Sequence, residues 1–235
     1  MPRLNNGPAM KRTFLGLAFI LAASAAHAQI ASGDYISERG GGTLTIKDGG
    51  FEISSVGANG HTCGLDGTLK GSVGLAGEAP DICRVEFKPK DGGYQVTPLT
   101  LEPCRTYCGA RASFDGLYLK PADGCADAAR EETQKAFKAA YVAKDYAKAE
   151  PLLARQLKDC ARTLGWLEKA STANDLAITQ FHLGKKAECL KTLQPLAKDA
   201  AKKDDDLKDD YPPSDWADYQ PVVKATRTNL ALCRR

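Results

Sequence analysis

The chain has 235 residues, 43% of them hydrophobic and 26% charged, with a formal net charge of +3. That excess is carried by Arg3, Lys11 and Arg12. Without them basic and acidic residues balance, which removes the electrostatic case for binding nucleic acid or an anionic membrane.

The first element is a leader. Met10-Lys11-Arg12 is a short basic start, Phe14 to Ala25 is apolar, and Ala26-His27-Ala28 has the small-x-small pattern a signal peptidase reads. Residues 1–28 are therefore expected to be a signal peptide, with Met10 the better start and the cut before Gln29. About a dozen apolar residues are too few to cross a bilayer, which takes roughly 20. No cysteine follows the cut to accept a lipid. The mature protein is expected to be soluble and periplasmic, with no membrane span, and to form one large domain or two small ones.

All 8 cysteines lie beyond the leader: Cys63, Cys83, Cys104, Cys108, Cys125, Cys160, Cys189 and Cys233. An even number behind a signal peptide reads as a disulfide framework, and their wide spacing argues against zinc. Residues 29–122 read as a small antiparallel β domain. Leu44 and Ile46 alternate with polar neighbours, Asp48-Gly49-Gly50 turns the chain, and Phe51 and Ile53 continue. Asn59-Gly60 suits a type I′ hairpin, whose two central positions need φ > 0. Cys63, Leu65, Gly67 and Leu69 share a face, followed by Val73 and Leu75, then Cys83, Val85 and Phe87. A second turn at Asp91 to Gly93 leads to Tyr94 and Val96, and Leu117 with Leu119 ends the series. About eight such strands predict a meander closed as a small barrel or sandwich.

Residues 123–235 change to helical spacing. Phe137, Ala140 and Tyr141 form one stripe; Ala149, Leu152, Leu153 and Leu157 the next. Leu167, Ala170, Ala177 and Phe181 follow, then Cys189, Leu190, Leu193 and Ala197, and last Val222, Val223, Leu230 and Cys233. Five helices in antiparallel hairpins are expected, giving an α+β, two-domain chain. Folding the first hairpin brings Cys125 to Cys160, and packing the fourth helix on the fifth brings Cys189 to Cys233. The β half leaves three connectivities open, with Cys63–Cys83 and Cys104–Cys108 preferred. Cys104-Arg105-Thr106-Tyr107-Cys108 lacks the Cys-x-x-Cys spacing of a disulfide oxidoreductase and reads as a staple.

Lys144-Asp145-Tyr146-Ala147-Lys148-Ala149 and Gly184-Lys185-Lys186-Ala187-Glu188-Cys189 each sit at a helix-to-helix turn. Both resemble the Gly-x-Tyr-x-x-Ala turn of a tetratricopeptide repeat, roughly forty residues apart where 34 is usual. The resemblance implies a scaffold for protein contact without catalytic residues, with Ala149 and Cys189 where paired helices approach closely.

The chain carries few signatures of chemistry. His61 is expected exposed at the Asn59-Gly60 tip, and His182 late in a helix; neither has a second histidine at ligand spacing. No Gly-x-Ser-x-Gly elbow or phosphate-cradling loop is present. The acidic run Asp204 to Asp210 lacks the glycine and glutamate of a calcium loop and reads as a solvated interhelical loop. No catalytic residue, cofactor or metal is expected. Tyr211 and Trp216 flank Pro212-Pro213 as a candidate recognition surface or a loop tucked onto the bundle. In build, the β half resembles small periplasmic barrels that inhibit lysozyme. That resemblance implies a non-catalytic binding protein that blocks a peptidoglycan hydrolase, with Asn59, Gly60 and His61 entering the cleft. The alternatives are an envelope assembly scaffold binding through its helices, and an envelope hydrolase without a recognised motif.

Overall fold

A computed structural model describes Met1 and residues 30–235. Apart from Met1, the segment read as a leader lies outside the described residues. No helix among the described residues is long and apolar enough to cross a membrane.

The β half is a closed eight-stranded antiparallel barrel: β1 (Gly33–Ser37), β2 (Gly42–Lys47), β3 (Gly50–Val56), β4 (Thr62–Lys70), β5 (Val73–Ala76), β6 (Cys83–Lys90), β7 (Gly93–Pro98) and β8 (Gly116–Leu119). Each strand pairs with the next, and β8 returns to β1 through Ile36–Leu119 and Ser37–Tyr118. Closure leaves the sheet without a free edge strand. The alternation seen in sequence has its physical cause here, since Leu44, Ile46, Phe51, Ile53, Leu65, Val85, Phe87 and Val96 all point inward and are buried. The two-residue turns at Asp48-Gly49 and Asp91-Gly92 have the positive φ expected of primed hairpin turns (51° and 74°, 50° and 80°).

The barrel centre is filled by Phe51 and Phe87, edge to face at 5.1 Å. Room for them comes from Gly74, where a Cβ would stand 2.5 Å from the Phe51 ring and 2.8 Å from Phe87. At one end Ile30 is buried in the core, and Ala31 is clamped between hydroxyls: its N–H donates to Tyr94 (2.7 Å) and its carbonyl accepts from Tyr35 (3.0 Å).

The barrel disulfides differ from expectation. Cys63 is bonded to Cys108 and Cys83 to Cys104, not Cys63 to Cys83 and Cys104 to Cys108. The segment between β7 and β8 folds as a short helix, α1 (Leu101–Arg105), and then lies along β4: Gly64 N–H donates to the Tyr107 carbonyl (3.1 Å) and Gly109 N–H to that of Thr62 (2.8 Å). This places Cys108 opposite Cys63 and Cys104 beside β6, so the segment is stapled to two strands.

The helical half holds α2 (Asp127–Val142), α3 (Tyr146–Asp159), α4 (Trp166–His182), α5 (Lys186–Leu193), α6 (Ala197–Ala200), α7 (Asp204–Asp210) and α8 (Pro213–Cys233). It therefore has two helices beyond the five expected. One is α7, the acidic run taken for a loop; it is helical because Leu207 is fully buried while its aspartates face outward. Cys125–Cys160 ties the start of α2 to the end of α3, and Cys189–Cys233 ties α5 to the end of α8. Both hairpin turns use a left-handed residue, Lys144 (φ 59°) and Gly184 (φ 74°), and Ala149 and Cys189 are fully buried beside them. A polar core fixes α4 on α8: Asn174 donates to Thr226 Oγ1 (2.9 Å) and Asn229 to Asn174 Oδ1 (3.1 Å).

Candidate functional site

The barrel meets the helical half at two places. Arg39 N–H donates to the Arg162 carbonyl (2.6 Å), and Arg162 pairs with Glu38 (2.8 Å). That guanidinium holds the Glu38 carboxyl below the usual carboxylate range. Gly40 lies so close to Gly165 that a Cβ would stand 2.4 Å from its nitrogen, so only glycine fits.

The second contact is made by the β3–β4 connection. Asn59 (φ 59°) and Gly60 (φ 71°) are left-handed as expected, but the loop is longer than a two-residue hairpin, because β3 and β4 last pair at Val56–Thr62. The extra length carries Asn59 to the start of α8. Its Oδ1 accepts from Ser214 N–H (3.1 Å) and Ser214 Oγ (3.0 Å), while its own N–H donates to Asp215 Oδ1 (3.1 Å). The residue before α8 is Pro212, which offers no side-chain cap. The barrel thus caps a helix of the other half. Asn59→Ala should cost about 1 kcal/mol, a typical cap loss. Urea unfolding should show it, together with faster amide exchange at 214–216.

Next to this joint lies an aromatic platform. Trp166, the first residue of α4, stacks on Tyr211 at 5.8 Å and meets Tyr219 edge-on at 5.1 Å. Both phenols donate to Asp199 Oδ2, Tyr211 at 2.8 Å and Tyr219 at 3.1 Å. Burial first, then the Asp199 carboxylate, pushes the Tyr211 hydroxyl up to about 12; burial likewise raises Tyr219. Both phenols therefore stay protonated donors at neutral pH, and the rings beneath Trp166 are fixed. The indole itself remains 48% exposed.

On the other side of the α4 start is a polar cleft of about 240 Å³, walled by Thr43, Ser54 and Val56 of the barrel and by Asp127, Arg130 and Glu168 of the helices. Arg130 bridges the carboxylates of Asp127 and Glu168, the latter at 2.7 Å. Burial raises the Glu168 carboxyl against the pull of Arg130.

The structure therefore brings Asn59, Tyr211 and the start of α8 together. Gly60 is exposed and His61 half-buried, its ring so close to Gly109 that a Cβ there would lie 2.7 Å from Nδ1; the exposed histidine expected at the tip is not found. Trp216 is only 8% exposed and belongs to the core under α7, so it offers no recognition surface. The exposed tryptophan is Trp166, which sequence reasoning passed over. Helix phase gave no signal for it: Trp166 lies four residues before Ala170 and seven before Ala173, both buried, and it is exposed because it is the first residue of α4. Among the described residues no cluster of three or more His, Cys, Asp or Glu is arranged to hold a metal ion. No protein-family model matches the chain, and no curated protein or solved structure is significantly similar to it.

Proposed function

We propose that this is a non-catalytic, protein-binding molecule of an oxidising extracytoplasmic compartment, and that its partner docks on the Trp166 face where the two halves meet. Four disulfides among the described residues support the compartment, because such bonds persist only where thiols are not kept reduced. The observation that carries the binding reading is the exposed Trp166 on rings locked through Asp199. A large rigid aromatic gives contact area at little entropic cost, and tryptophan, tyrosine and arginine dominate interface energetics.

Blocking of a peptidoglycan hydrolase is the partner class this reading favours. The β3–β4 tip supports it less than the Trp166 face does, since the side-chain oxygen and the backbone N–H of Asn59 are spent on α8. Affinity capture from an envelope extract with the oxidised protein, alongside an assay of lysozyme-driven peptidoglycan lysis, tests the proposal. Trp166→Ala should weaken capture about 30-fold, the effect of removing an interface anchor of about 2 kcal/mol. Capture that does not depend on Trp166 would overturn this placement. Inhibition lost in His61→Ala but kept in Trp166→Ala would return the role to the tip.

A further inference from the structure

Asn59-Gly60 is the single Asn-Gly pair among the described residues, and it stands at the joint between the halves. Such a pair is chemically unstable in an open chain. The Gly60 nitrogen, which no Cβ shields, attacks the Asn59 Cγ; a C–N bond closes a five-membered imide, and the side-chain nitrogen leaves as ammonia with the Gly60 proton. Water then opens the imide at either carbonyl, leaving aspartate or isoaspartate at 59. Gly60 is exposed, so burial does not shield the pair from water or base. Its backbone does. Ring closure needs the Gly60 nitrogen on the same side of the Asn59 Cα–C bond as Cβ, which takes a strongly negative ψ. Asn59 is held at φ 59° and ψ 30°, with that nitrogen swung away from Cβ whatever the side-chain rotamer.

What holds it there is the contact with α8. Asn59 Oδ1 accepts from Ser214 N–H (3.1 Å) and Ser214 Oγ (3.0 Å), and its own N–H donates to Asp215 Oδ1 (3.1 Å). A left-handed conformation costs an asparagine free energy, so a loop freed from α8 samples other values of ψ. We infer that Asn59-Gly60 is a modification site gated by the joint: with the halves docked the asparagine is kept, and each opening of the β3–β4 loop from α8 exposes it to deamidation. The change is one-way. Isoaspartate routes the main chain through the former side-chain carbon, and Ser214 N–H loses its cap. Aspartate keeps an acceptor but sets a second carboxylate against Asp215. The site therefore registers openings of the joint, independently of what docks on Trp166.

Peptide mapping of the full-length oxidised protein, aged in mildly alkaline buffer, follows Asn59, and the same chain in urea gives the unprotected rate. Amide exchange in the same buffer gives the protection of Ser214 N–H. One opening frees both, so deamidation should be slowed by the same factor that protects Ser214. In the double variant Ser214→Ala, Asp215→Ala it should run about tenfold faster, while the barrel strand amides stay protected. The modified fraction should have lost its protection at 214–216. Loss of Asn59 as fast in the folded chain as in urea overturns the inference. So does slowing that matches the barrel strands instead, because the reaction then runs through global unfolding. An unchanged rate in the double variant, or protection kept at 214–216 in the modified fraction, overturns it as well. Should the double variant unfold, the comparison within the parent decides alone.

Discussion

Replacing Cys63 and Cys108 together by Ser should lower stability by about 4 kcal/mol, the chain-entropy value for a link across 45 residues. Urea unfolding against the oxidised parent measures the loss. The pairing makes a sharper demand too, because Cys63–Cys108 holds the α1 segment on β4 while Cys83–Cys104 holds it on β6. Removing one pair should leave the other formed. A non-reducing digest of the double variant should still yield the peptide joined through Cys83 and Cys104. A Cys83–Cys63 peptide from the parent would contradict the connectivity.

Phe87→Ala should cost about 3–5 kcal/mol, because a fully buried ring and its edge-to-face partner are lost from a closed barrel that cannot collapse around the gap. Gly74→Ala should cost about 1–3 kcal/mol for the opposite reason, as its methyl meets both rings. The two effects share one space. In the double variant the methyl occupies part of the volume the ring vacates, so the losses should sum to less than the separate values. Strict additivity in denaturant unfolding would show that Gly74 does not make room for the ring pair.

How much of this was legible in the sequence depended on how local the cause was. The barrel strands were readable because alternation and left-handed turn residues such as Asp48-Gly49 are fixed within a few positions. The hairpins around Lys144 and Gly184 were readable for the same reason. The barrel disulfides were not, since α1 and the strand-like pairing of Tyr107 and Gly109 with β4 are long-range events that a run of five residues does not announce. Helix α7 escaped because six of its seven residues are charged and a single buried leucine secures it. For the candidate site, Asn59 and Tyr211 were singled out for turn chemistry and aromatic content. That they converge on one joint follows only from the packing of the halves. Trp216 falls on the buried side of α8 with Tyr219 and Val223, whereas Trp166 shares the phase of the buried Ala170 and Ala173 and is exposed only because it opens α4, a boundary the sequence does not mark.

The central claim, that partners engage the face built from the α4 start, α7 and the α8 start, is open to direct mapping. Hydrogen–deuterium exchange of the protein, alone and with the partner captured from an envelope extract, reads it out in one experiment. Protection concentrated at 163–169 and 204–216 is the predicted pattern. Protection confined to the hairpin turns at 143–148 and 183–188, or to the β3–β4 tip alone, would contradict it.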